Sequence, residues 1–332
     1  MKHYNIPIFI PQQACFHSCI YCNQHHISGQ IAQPTSSEII SKIDSHLKTF
    51  KEPYNAEIAF FGGTFTAISQ QKQEEYLKLV QPYINQNKIS NIRISTRPDY
   101  ITPEILEFLK KYNVKTIELG AQSLCDEVLK KSQRGHSVED VKNASKLINK
   151  FGFDLGLQMM IGLPDDSLER SIETAKQIVN FGAKSTRIYP TLVIENTLLA
   201  KMYQKGEYKP LEMQEAINWS SKLYNIFLEN NITILRVGLH PSEALINGEE
   251  LLAGPFHVSF RELVLSNIWK EKFESINHKK TDIITIYVNP KYIGSAVGYK
   301  SQNKLLFQKF YKRVIFKEDL NLNDFQFNYI IS

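Results

Sequence analysis

The sequence of 332 residues lacks the features that mark secreted, membrane-embedded and repetitive proteins. No apolar run approaches the roughly 18 residues of a membrane span, and the first residues have neither the apolar core nor the cleavage site of a signal peptide. No solenoid-length repeat and no low-complexity tract is visible. With 42% hydrophobic and 22% charged residues, the composition is that of an ordinary globular protein. We therefore expect a soluble, cytoplasmic protein without a membrane partner.

Cysteine is scarce as well, and the net charge is small. Three of the four cysteines lie close together, and the fourth, Cys125, is far away. This distribution suits a reducing compartment and a metal or redox site better than a disulfide framework. The formal charge of +5 is compatible with a polyanionic partner but is too small to require one.

The clustered cysteines, Cys15, Cys19 and Cys22, form a C-x3-C-x2-C loop directly after an apolar stretch at residues 6–10. A loop this short can wrap three thiolates around one metal centre. Structural zinc is normally closed by four ligands, whereas three cysteines around a 4Fe–4S cluster leave one iron open for another ligand. The alternative is a zinc site completed by one of the nearby histidines, His17, His25 or His26. The three-cysteine pattern favours a cluster with an open coordination position.

Short apolar or β-branched runs alternate with stretches of helical periodicity, which is typical of a parallel sheet with helices outside it. We predict strands at residues 6–10, 57–61, 92–95, 116–119, 155–161 and 186–189. We predict helices at residues 37–50, 73–83, 103–112, 138–150 and 168–181. Plausible N-caps for them are Ser36, Ser37, Thr102 and Ser167. The fold class is therefore α/β, a partial (β/α)6 barrel of the TIM type.

Beyond about residue 195 the pattern loosens. We predict a further helix at residues 215–229 and a strand at residues 232–237 that covers the side of the barrel. From Asp282 onward the composition changes to that of a small C-terminal α/β appendage. We divide the chain into a barrel of residues 1–240 and an appendage of residues 241–332. In such barrels the loops after the strands' carboxyl ends converge on one rim, which is where the cysteine loop is expected.

Further motifs occur at the predicted strand ends: Phe61-Gly62-Gly63-Thr64-Phe65, Ser95-Thr96-Arg97-Pro98-Asp99-Tyr100, Glu118-Leu119-Gly120-Ala121-Gln122-Ser123, Gly162-Leu163-Pro164 and Arg187-Ile188-Tyr189-Pro190-Thr191-Leu192. With the cysteine loop and its aromatic Tyr21, this series resembles the radical S-adenosylmethionine (SAM) superfamily. It is most similar to the radical SAM domain of the Elongator catalytic subunit. The similarity covers residues 5–210, with the motifs in family order.

The resemblance implies a function. Cys15, Cys19 and Cys22 would hold a 4Fe–4S cluster, and the free iron would bind the amino and carboxylate groups of SAM. A reductant such as flavodoxin or ferredoxin would supply the electron that cleaves SAM to a 5'-deoxyadenosyl radical, so the cofactor supplies the reactivity. The substrate stays unidentified, and the Elongator resemblance favours tRNA.

The resemblance also implies residues that bind SAM: Tyr21, Gly62, Gly63, Thr64, Gln122 and Arg134. Tyr21 would pack on the adenine, and the two glycines would let backbone carbonyls approach the ammonium group. Gln122 matches the ribose-binding glutamine of anaerobic coproporphyrinogen oxidases, and Arg134 matches the arginine that pairs with the SAM carboxylate. Ser95 and Gln158 depart from these relatives, which carry a glutamate and an aspartate at the two positions.

Several residues have two interpretations. Three rim residues either contact SAM or substrate or pair with one another: Arg97, Glu118 and Arg187. Cys125 is expected to be a buried small residue rather than a ligand. Tyr189 is either an active-site ring or a packed barrel residue. His240 and His257 either face the cavity or are hydrogen-bonded structural histidines.

The C-terminal part has a basic segment, in which Gly298 is followed by Lys300, Lys304, Lys309, Lys312 and Arg313. This segment either binds a phosphate backbone or is a solvated surface. It has one glycine where a KH-type loop would have two. No glycine-rich acyl-CoA loop follows the barrel, so the chain resembles short relatives of the Elongator subunit that lack the acetyltransferase domain. Acetyl transfer is therefore not expected. The alternatives are a porphyrin-pathway radical SAM enzyme and a cluster- or haem-binding chaperone without catalysis.

Overall fold

A computed structural model of the chain describes residues 2–11, 19–22, 33–239, 243–277 and 282–332. Its strands are β1 (Lys2–Ile10), β2 (Tyr54–Gly62), β3 (Asn91–Thr96), β4 (Val114–Gln122), β5 (Asp154–Ile161), β6 (Ser185–Pro190), β7 (Val193–Ile194), β8 (Thr233–Val237), β9 (Leu251–Ala253), β10 (Ile283–Val288), β11 (Arg313–Glu318) and β12 (Phe327–Ile331). Its helices are α1 (Ser36–Leu47), α2 (Gln70–Asn85), α3 (Pro103–Lys110), α4 (Asp126–Lys131), α5 (Val138–Lys150), α6 (Leu168–Asn180), α7 (Leu198–Gln204), α8 (Met213–Glu229), α9 (Glu243–Asn247), α10 (Phe260–Phe273), α11 (Ile293–Val297) and α12 (Gln302–Phe307). Within these ranges, no helix is both long and apolar enough to cross a membrane.

The main sheet has seven parallel strands in the order β1-β2-β3-β4-β5-β6-β8 and curls into a half-barrel. The six predicted strands are confirmed as β1 to β6, and so is the partial TIM-type barrel. The predicted role of residues 232–237 as a cover is wrong, because β8 pairs with β6 as a seventh parallel strand. The physical reason is α8, which acts as the crossover that a parallel connection requires.

The helices of the barrel lie where the helical periodicity predicts them. Two predicted N-caps are confirmed, Thr102 and Ser167. The cap of α1, however, is Thr35 rather than Ser36 or Ser37. The Thr35 hydroxyl accepts from the Glu38 amide at 3.3 Å, and the Thr35 amide donates to the Glu38 carboxylate at 2.7 Å. Glu38 therefore selects Thr35, because a capping box needs the acidic residue three positions after the cap.

Side chains alternate between the two faces of each strand, which separates an outer apolar face from an inner polar one. In β4, Ile117 and Leu119 are fully buried and belong to the cluster that joins the sheet to its helices. Between them lies Glu118, which faces the inside of the half-barrel. The outer face stabilises the fold, and the inner face carries polar groups toward the rim.

Two small sheets and α10 lie outside the main sheet, and one of these sheets joins β7, before residue 240, to β9, after it. Strands β7 and β9 form an antiparallel pair. Strand β10 lies between β11, which is parallel to it, and β12, which is antiparallel. Trp269 of α10 is fully buried and contacts Phe325 and Phe327 at ring distances of 5.5 and 6.4 Å. One hydrophobic cluster thus includes residues of the barrel and of the C-terminal part, while the division at residue 240 stays a prediction.

Candidate functional site

Two of the clustered cysteines, Cys19 and Cys22, share one turn of the chain at the rim of the half-barrel. The Cys22 amide donates to the Cys19 carbonyl at 3.0 Å. The Ile20 amide donates to the Ser132 carbonyl at 3.2 Å, and its carbonyl accepts from the Leu199 amide at 2.8 Å, so two separate segments hold this turn. The other residues of the ligand prediction lie outside the described residues: Cys15 and, for the zinc alternative, His17, His25 and His26. The ligand set therefore stays a prediction.

The buried guanidinium of Arg134 connects the cysteine turn to the end of β4. Its Nη1 donates to the Cys19 Sγ at 3.4 Å, and its Nη2 donates to the Gly120 carbonyl at 2.9 Å. The backbone of Arg134 is fixed in turn, because its carbonyl accepts from Arg97 at 2.8 Å. Arg97 is itself held by two hydrogen bonds to the Asp99 carboxylate, at 2.9 and 2.8 Å. A positive charge beside Cys19 suits a sulfur that binds metal as a thiolate.

Gln122 ends β4 in a left-handed conformation, with φ of +66°, next to an irregularity in the pairing with β5. Its side-chain oxygen accepts from Gln158 at 2.9 Å. A Cβ at Gly120 would lie 2.9 Å from the Gln122 amide nitrogen and 3.0 Å from the Arg134 Nη2. Because Gly120 has no side chain, the side chains of Gln122 and Arg134 can both pack against its backbone at the rim. The structure brings together three of the predicted residues here, Cys19, Gln122 and Arg134.

The two glycines after β2 lie against the end of β1. Gly62 has φ of +116°, and a Cβ there would lie 2.6 Å from the Ile10 carbonyl oxygen and 2.6 Å from the Phe9 ring. The Gly63 amide donates to the same Ile10 carbonyl at 2.8 Å. Thr64 follows and is buried. Only glycine fits at position 62, because the Phe9 ring and the Ile10 carbonyl at the end of β1 fill the space that a Cβ would occupy.

Tyr21 lies between the two described cysteines and packs against a small hydrophobic cluster that includes Val193 and Leu199. Burial raises the pKa of the Tyr21 phenol well above its usual value, and the neighbouring sulfurs of Cys19 and Cys22 act in the same direction. The positive charge of Arg134 opposes this shift. The phenol therefore stays protonated and presents a neutral ring.

Below the rim, a chain of buried charges crosses the inner face of the sheet. Arg93 donates to Glu57 at 2.9 Å and to Glu118 at 2.6 Å, and Arg187 donates to the two oxygens of Glu118 at 3.0 and 3.2 Å. Glu118 and Arg187 lie on β4 and β6, so their contact passes over β5, where Gly156 is in register with Glu118 and Gln158 is in register with Arg187. The sequence left open whether Arg97, Glu118 and Arg187 contact SAM or substrate or pair with one another. Pairing is what the structure shows for Glu118 and Arg187.

The remaining candidates have mainly structural contacts. The Tyr189 hydroxyl lies 3.5 Å from the Arg187 Nη1. His257 accepts a hydrogen bond from a backbone amide at 2.9 Å through its Nδ1. Cys125 is half-buried, so its expected full burial is wrong; it directly precedes the exposed first turn of α4, which leaves one side of it open to solvent. His240 lies outside the described residues.

One buried residue of the rim, His136, was not among the predicted site residues. Its Nε2 lies 3.3 Å from the Ala121 carbonyl. Burial, together with the positive charges of Arg134 and Arg97, lowers the pKa of His136 to about 3. The imidazole is therefore neutral near pH 7. The Arg-Gly-His run at residues 134–136 is the signal in the sequence that could have identified it.

These residues fit the cofactors that the resemblance implies. Cysteine thiolates are the usual ligands of iron–sulfur clusters, and Cys19 and Cys22 are close enough to share one turn. The Arg134 guanidinium and the Gln122 amide are groups that bind a carboxylate and a hydroxyl. The site is thus chemically suited to a cluster with a small polar ligand beside it.

Two family models match the chain. Residues 9–178, more than half of the chain, match the Radical SAM superfamily, and residues 183–270 match the Radical SAM C-terminal domain. In solved structures, the fold is similar to that of archaeal Elp3 from Methanocaldococcus infernus with residues 1–46 deleted. That similarity has a TM-score of 0.66 at 24% identity and covers 82% of this chain and 64% of the other.

Curated relatives give the same result. The tRNA uridine(34) acetyltransferase of Methanocaldococcus infernus is 33% identical over an alignment of 181 residues, and the match covers 48% of this chain and 34% of that enzyme. The chain thus spans about a third of the length of this relative. An uncharacterized protein of Methanocaldococcus jannaschii is 30% identical over 233 residues, covering 65% of this chain and 70% of the relative. By these matches and by its fold, the chain belongs to the radical SAM superfamily.

Proposed function

We propose that this chain is an enzyme that cleaves SAM reductively at a 4Fe–4S cluster held by Cys15, Cys19 and Cys22. The 5'-deoxyadenosyl radical that SAM supplies would act on a tRNA. The observation that carries the proposal is the position of Arg134, whose guanidinium contacts both the Cys19 sulfur and the end of β4 beside Gln122. A cation at this point favours a ligand that carries a carboxylate next to the thiolates.

The residues of the rim have separate tasks in this proposal. Cys19 and Cys22 hold the cluster, and Arg134 binds the carboxylate of SAM. Gln122, oriented by Gln158, binds the ribose hydroxyls. Tyr21 offers a neutral ring to the adenine. Members of the superfamily in general combine SAM with a 4Fe–4S cluster, and the donor set of this rim supports the same pair here.

The choice of tRNA as the substrate class rests on the relatives. The name of the matched Methanocaldococcus infernus enzyme says that it acts on uridine 34 of tRNA. We propose the same class of substrate for the radical chemistry of this chain. A cytoplasmic reductant such as flavodoxin or ferredoxin would supply the electron.

The first test is the release of 5'-deoxyadenosine. Protein reconstituted anaerobically with iron and sulfide, reduced with dithionite and given SAM should form 5'-deoxyadenosine. The Cys19→Ala variant should lose both the cluster absorbance and this product, whereas the matched Cys125→Ala variant should keep both. An intact, reducible cluster that leaves SAM uncleaved would contradict the proposal.

The second test addresses the substrate. Nucleosides of tRNA from cells with and without the protein are compared by mass spectrometry, and a nucleoside lost with the gene supports tRNA. An unchanged nucleoside profile argues against it. Tight haem binding with a shifted absorbance band, combined with no SAM cleavage, would instead favour the haem-binding chaperone.

A further inference from the structure

The positive charge of this chain is concentrated in one segment, residues 283–317. The segment contains seven Lys and Arg residues and no Asp or Glu, and without it the chain would carry 32 basic against 34 acidic residues. Two of the seven are paired, Lys291 with Asp324 at 3.1 Å and Lys312 with Asp282 at 2.9 Å. Within the described ranges, five others have no carboxylate at ion-pair distance: Lys300, Lys304, Lys309, Arg313 and Lys317. A surface of this kind is complementary to a polyanion.

The segment folds as a strand, two short helices and a second strand, namely β10, α11, α12 and β11. The loop between the helices is Gly298-Tyr299-Lys300-Ser301. KH modules clamp an RNA backbone with a four-residue GXXG loop. Here the fourth residue is Ser301, which has φ of 62° and ψ of 21°, the left-handed conformation that glycine adopts most readily. Ser301 thus has the backbone conformation of a glycine in a loop that contains one glycine rather than two.

This loop is fixed to α10. The Tyr299 amide donates to the Ser266 hydroxyl at 2.8 Å, and the Asn303 side chain donates to the Ser266 carbonyl at 2.9 Å. At Gly298 a Cβ would lie 2.8 Å from the Asn303 amide nitrogen, so the chain can turn there only with glycine. Lys300, which is exposed, is therefore presented on a rigid support.

A series of contacts connects the loop to the rim side of the barrel. Gly238 directly follows β8, and a Cβ there would lie 3.0 Å from the Phe260 side chain at the start of α10. His257, just before α10, contacts the Tyr299 ring edge to face at 5.3 Å. The loop therefore lies on the side of the molecule where the barrel strands end.

Apolar side chains are interleaved with the unpaired lysines. Leu305 is 55% exposed and Phe310 is 53% exposed, and they lie next to Lys304 and Lys309. Alternation of cations with an exposed aromatic ring suits a nucleic acid, because the lysines neutralise phosphates while the ring stacks on a base. A lipid surface fits less well, since α12 has only six residues and offers a short apolar face.

We infer that this surface, made of the loop at residues 298–301 with Lys304, Lys309 and Phe310, binds the phosphate backbone of the RNA substrate. The inference rests on the proposed function for the choice of RNA. Lys300, Lys304 and Lys309 contact phosphates, and Phe310 stacks on an unpaired base. The barrel rim carries out the chemistry, and the C-terminal surface holds the RNA beside it.

The test measures binding of the full-length protein to a fluorescently labelled, unmodified tRNA transcript as a function of salt. The triple variant Lys300→Gln, Lys304→Gln, Lys309→Gln should bind at least tenfold more weakly. The slope of log Kd against log salt should fall by about 2 to 3, since each lost phosphate contact removes about 1. The Phe310→Ala variant should weaken binding about tenfold while leaving the slope unchanged.

The matched control removes the same charge from ion-paired lysines elsewhere, with Lys115→Gln, Lys142→Gln and Lys184→Gln in one protein. It should bind tRNA nearly as well as the natural chain. Equal losses in the two triple variants would overturn the inference, because binding would then follow total charge. Failure of the natural chain to bind tRNA, or binding to vesicles of equimolar phosphatidylglycerol and phosphatidylcholine instead, would also overturn it. SAM cleavage measured without RNA reports separately on the proposed function.

Discussion

Glu118 holds Arg187 through both of its carboxylate oxygens, although a whole strand separates the two residues in the sheet. The same carboxylate accepts from Arg93, which also donates to Glu57, so two carboxylates balance two guanidinium groups on the inner face of the half-barrel. Gly156 on the strand between them gives the Glu118 side chain room, because a Cβ there would lie 2.8 Å from the Glu118 Cγ. The wall below the rim is thus fixed by charge as well as by apolar packing.

Replacing Glu118 should strongly destabilise the fold. Glu118→Ala leaves Arg93 and Arg187 without their shared carboxylate, and breaking a buried pair in this way costs about 3–5 kcal/mol in the free energy of unfolding. Urea titration monitored by circular dichroism measures the loss. The control is Asp154→Ala, whose partners Lys115 and Lys184 are exposed, and it should cost less than about 1 kcal/mol. Similar losses in both variants would contradict the role assigned to Glu118.

Adding a methyl group at position 156 should also destabilise the fold, in this case through steric overlap. In Gly156→Ala the Cβ would lie 2.8 Å from the Glu118 Cγ and 3.1 Å from the Ser185 hydroxyl. Overpacking of this kind costs about 1–3 kcal/mol. Gly294→Ala serves as the control, because nothing lies within 4 Å of its added Cβ, and it should be neutral or slightly stabilising. Thermal denaturation of the two variants side by side separates these outcomes.

His136 should make stability depend on pH. Its pKa is about 3 in the folded chain against an ordinary value of 6.5, so below pH 6.5 only the unfolded chain takes up the proton. The free energy of unfolding should therefore fall by about 2 kcal/mol between pH 7 and pH 5 through this residue alone. His136→Gln should lack this contribution. The difference in the free energy of unfolding between the natural chain and the variant should therefore change by about 2 kcal/mol between pH 7 and pH 5. His46→Gln, at a less buried histidine, should alter the pH dependence of stability far less. If the stability difference between the natural chain and His136→Gln did not depend on pH, the lowered pKa of His136 would be disproved.

Arg134 should affect SAM binding more than cluster content. Loss of a hydrogen bond to a charged group costs about 1.5–3 kcal/mol, so Arg134→Gln should weaken SAM binding by roughly 10- to 150-fold. Equilibrium dialysis of the reconstituted protein measures the affinity, and iron and sulfide analysis reports the cluster. Lys131→Gln is the control, since Lys131 is exposed and its ion pair with Asp165 is long, at 3.8 Å. Unchanged SAM affinity in Arg134→Gln would remove Arg134 from the proposed contacts.

The sequence predicts most of the barrel because each of strands β1 to β6 contains a short apolar or β-branched run, and stretches of helical periodicity lie between these runs. The place of strand β8 in the sheet was not predicted correctly, because its hydrophobic pattern is weak. Three of its five residues, Arg236 among them, are exposed or only partly buried. The cap of α1 is ambiguous for a different reason. Thr35, Ser36 and Ser37 are all good caps, and only the spacing to Glu38 distinguishes them.

The site is predictable to the extent that it is local in sequence. The cysteine loop and the glycines at 62 and 63 are short motifs, and they indicate the rim without any structure. The charge chain through Glu57, Arg93 and Glu118 is not local, because it depends on the register of strands that are far apart in sequence. The contact between Arg134 and Cys19 likewise joins residues 115 positions apart, and no spacing rule predicts it.

The strand order that starts at β1 and stops at β8 has one more consequence. Within the described ranges these two strands pair with β2 and β6 and not with each other, so the cylinder stays unclosed along one side. A closed cylinder admits only what passes through its mouth. An unclosed one can be approached sideways, and a long polymer can insert a single protruding unit while the bulk of the molecule remains outside.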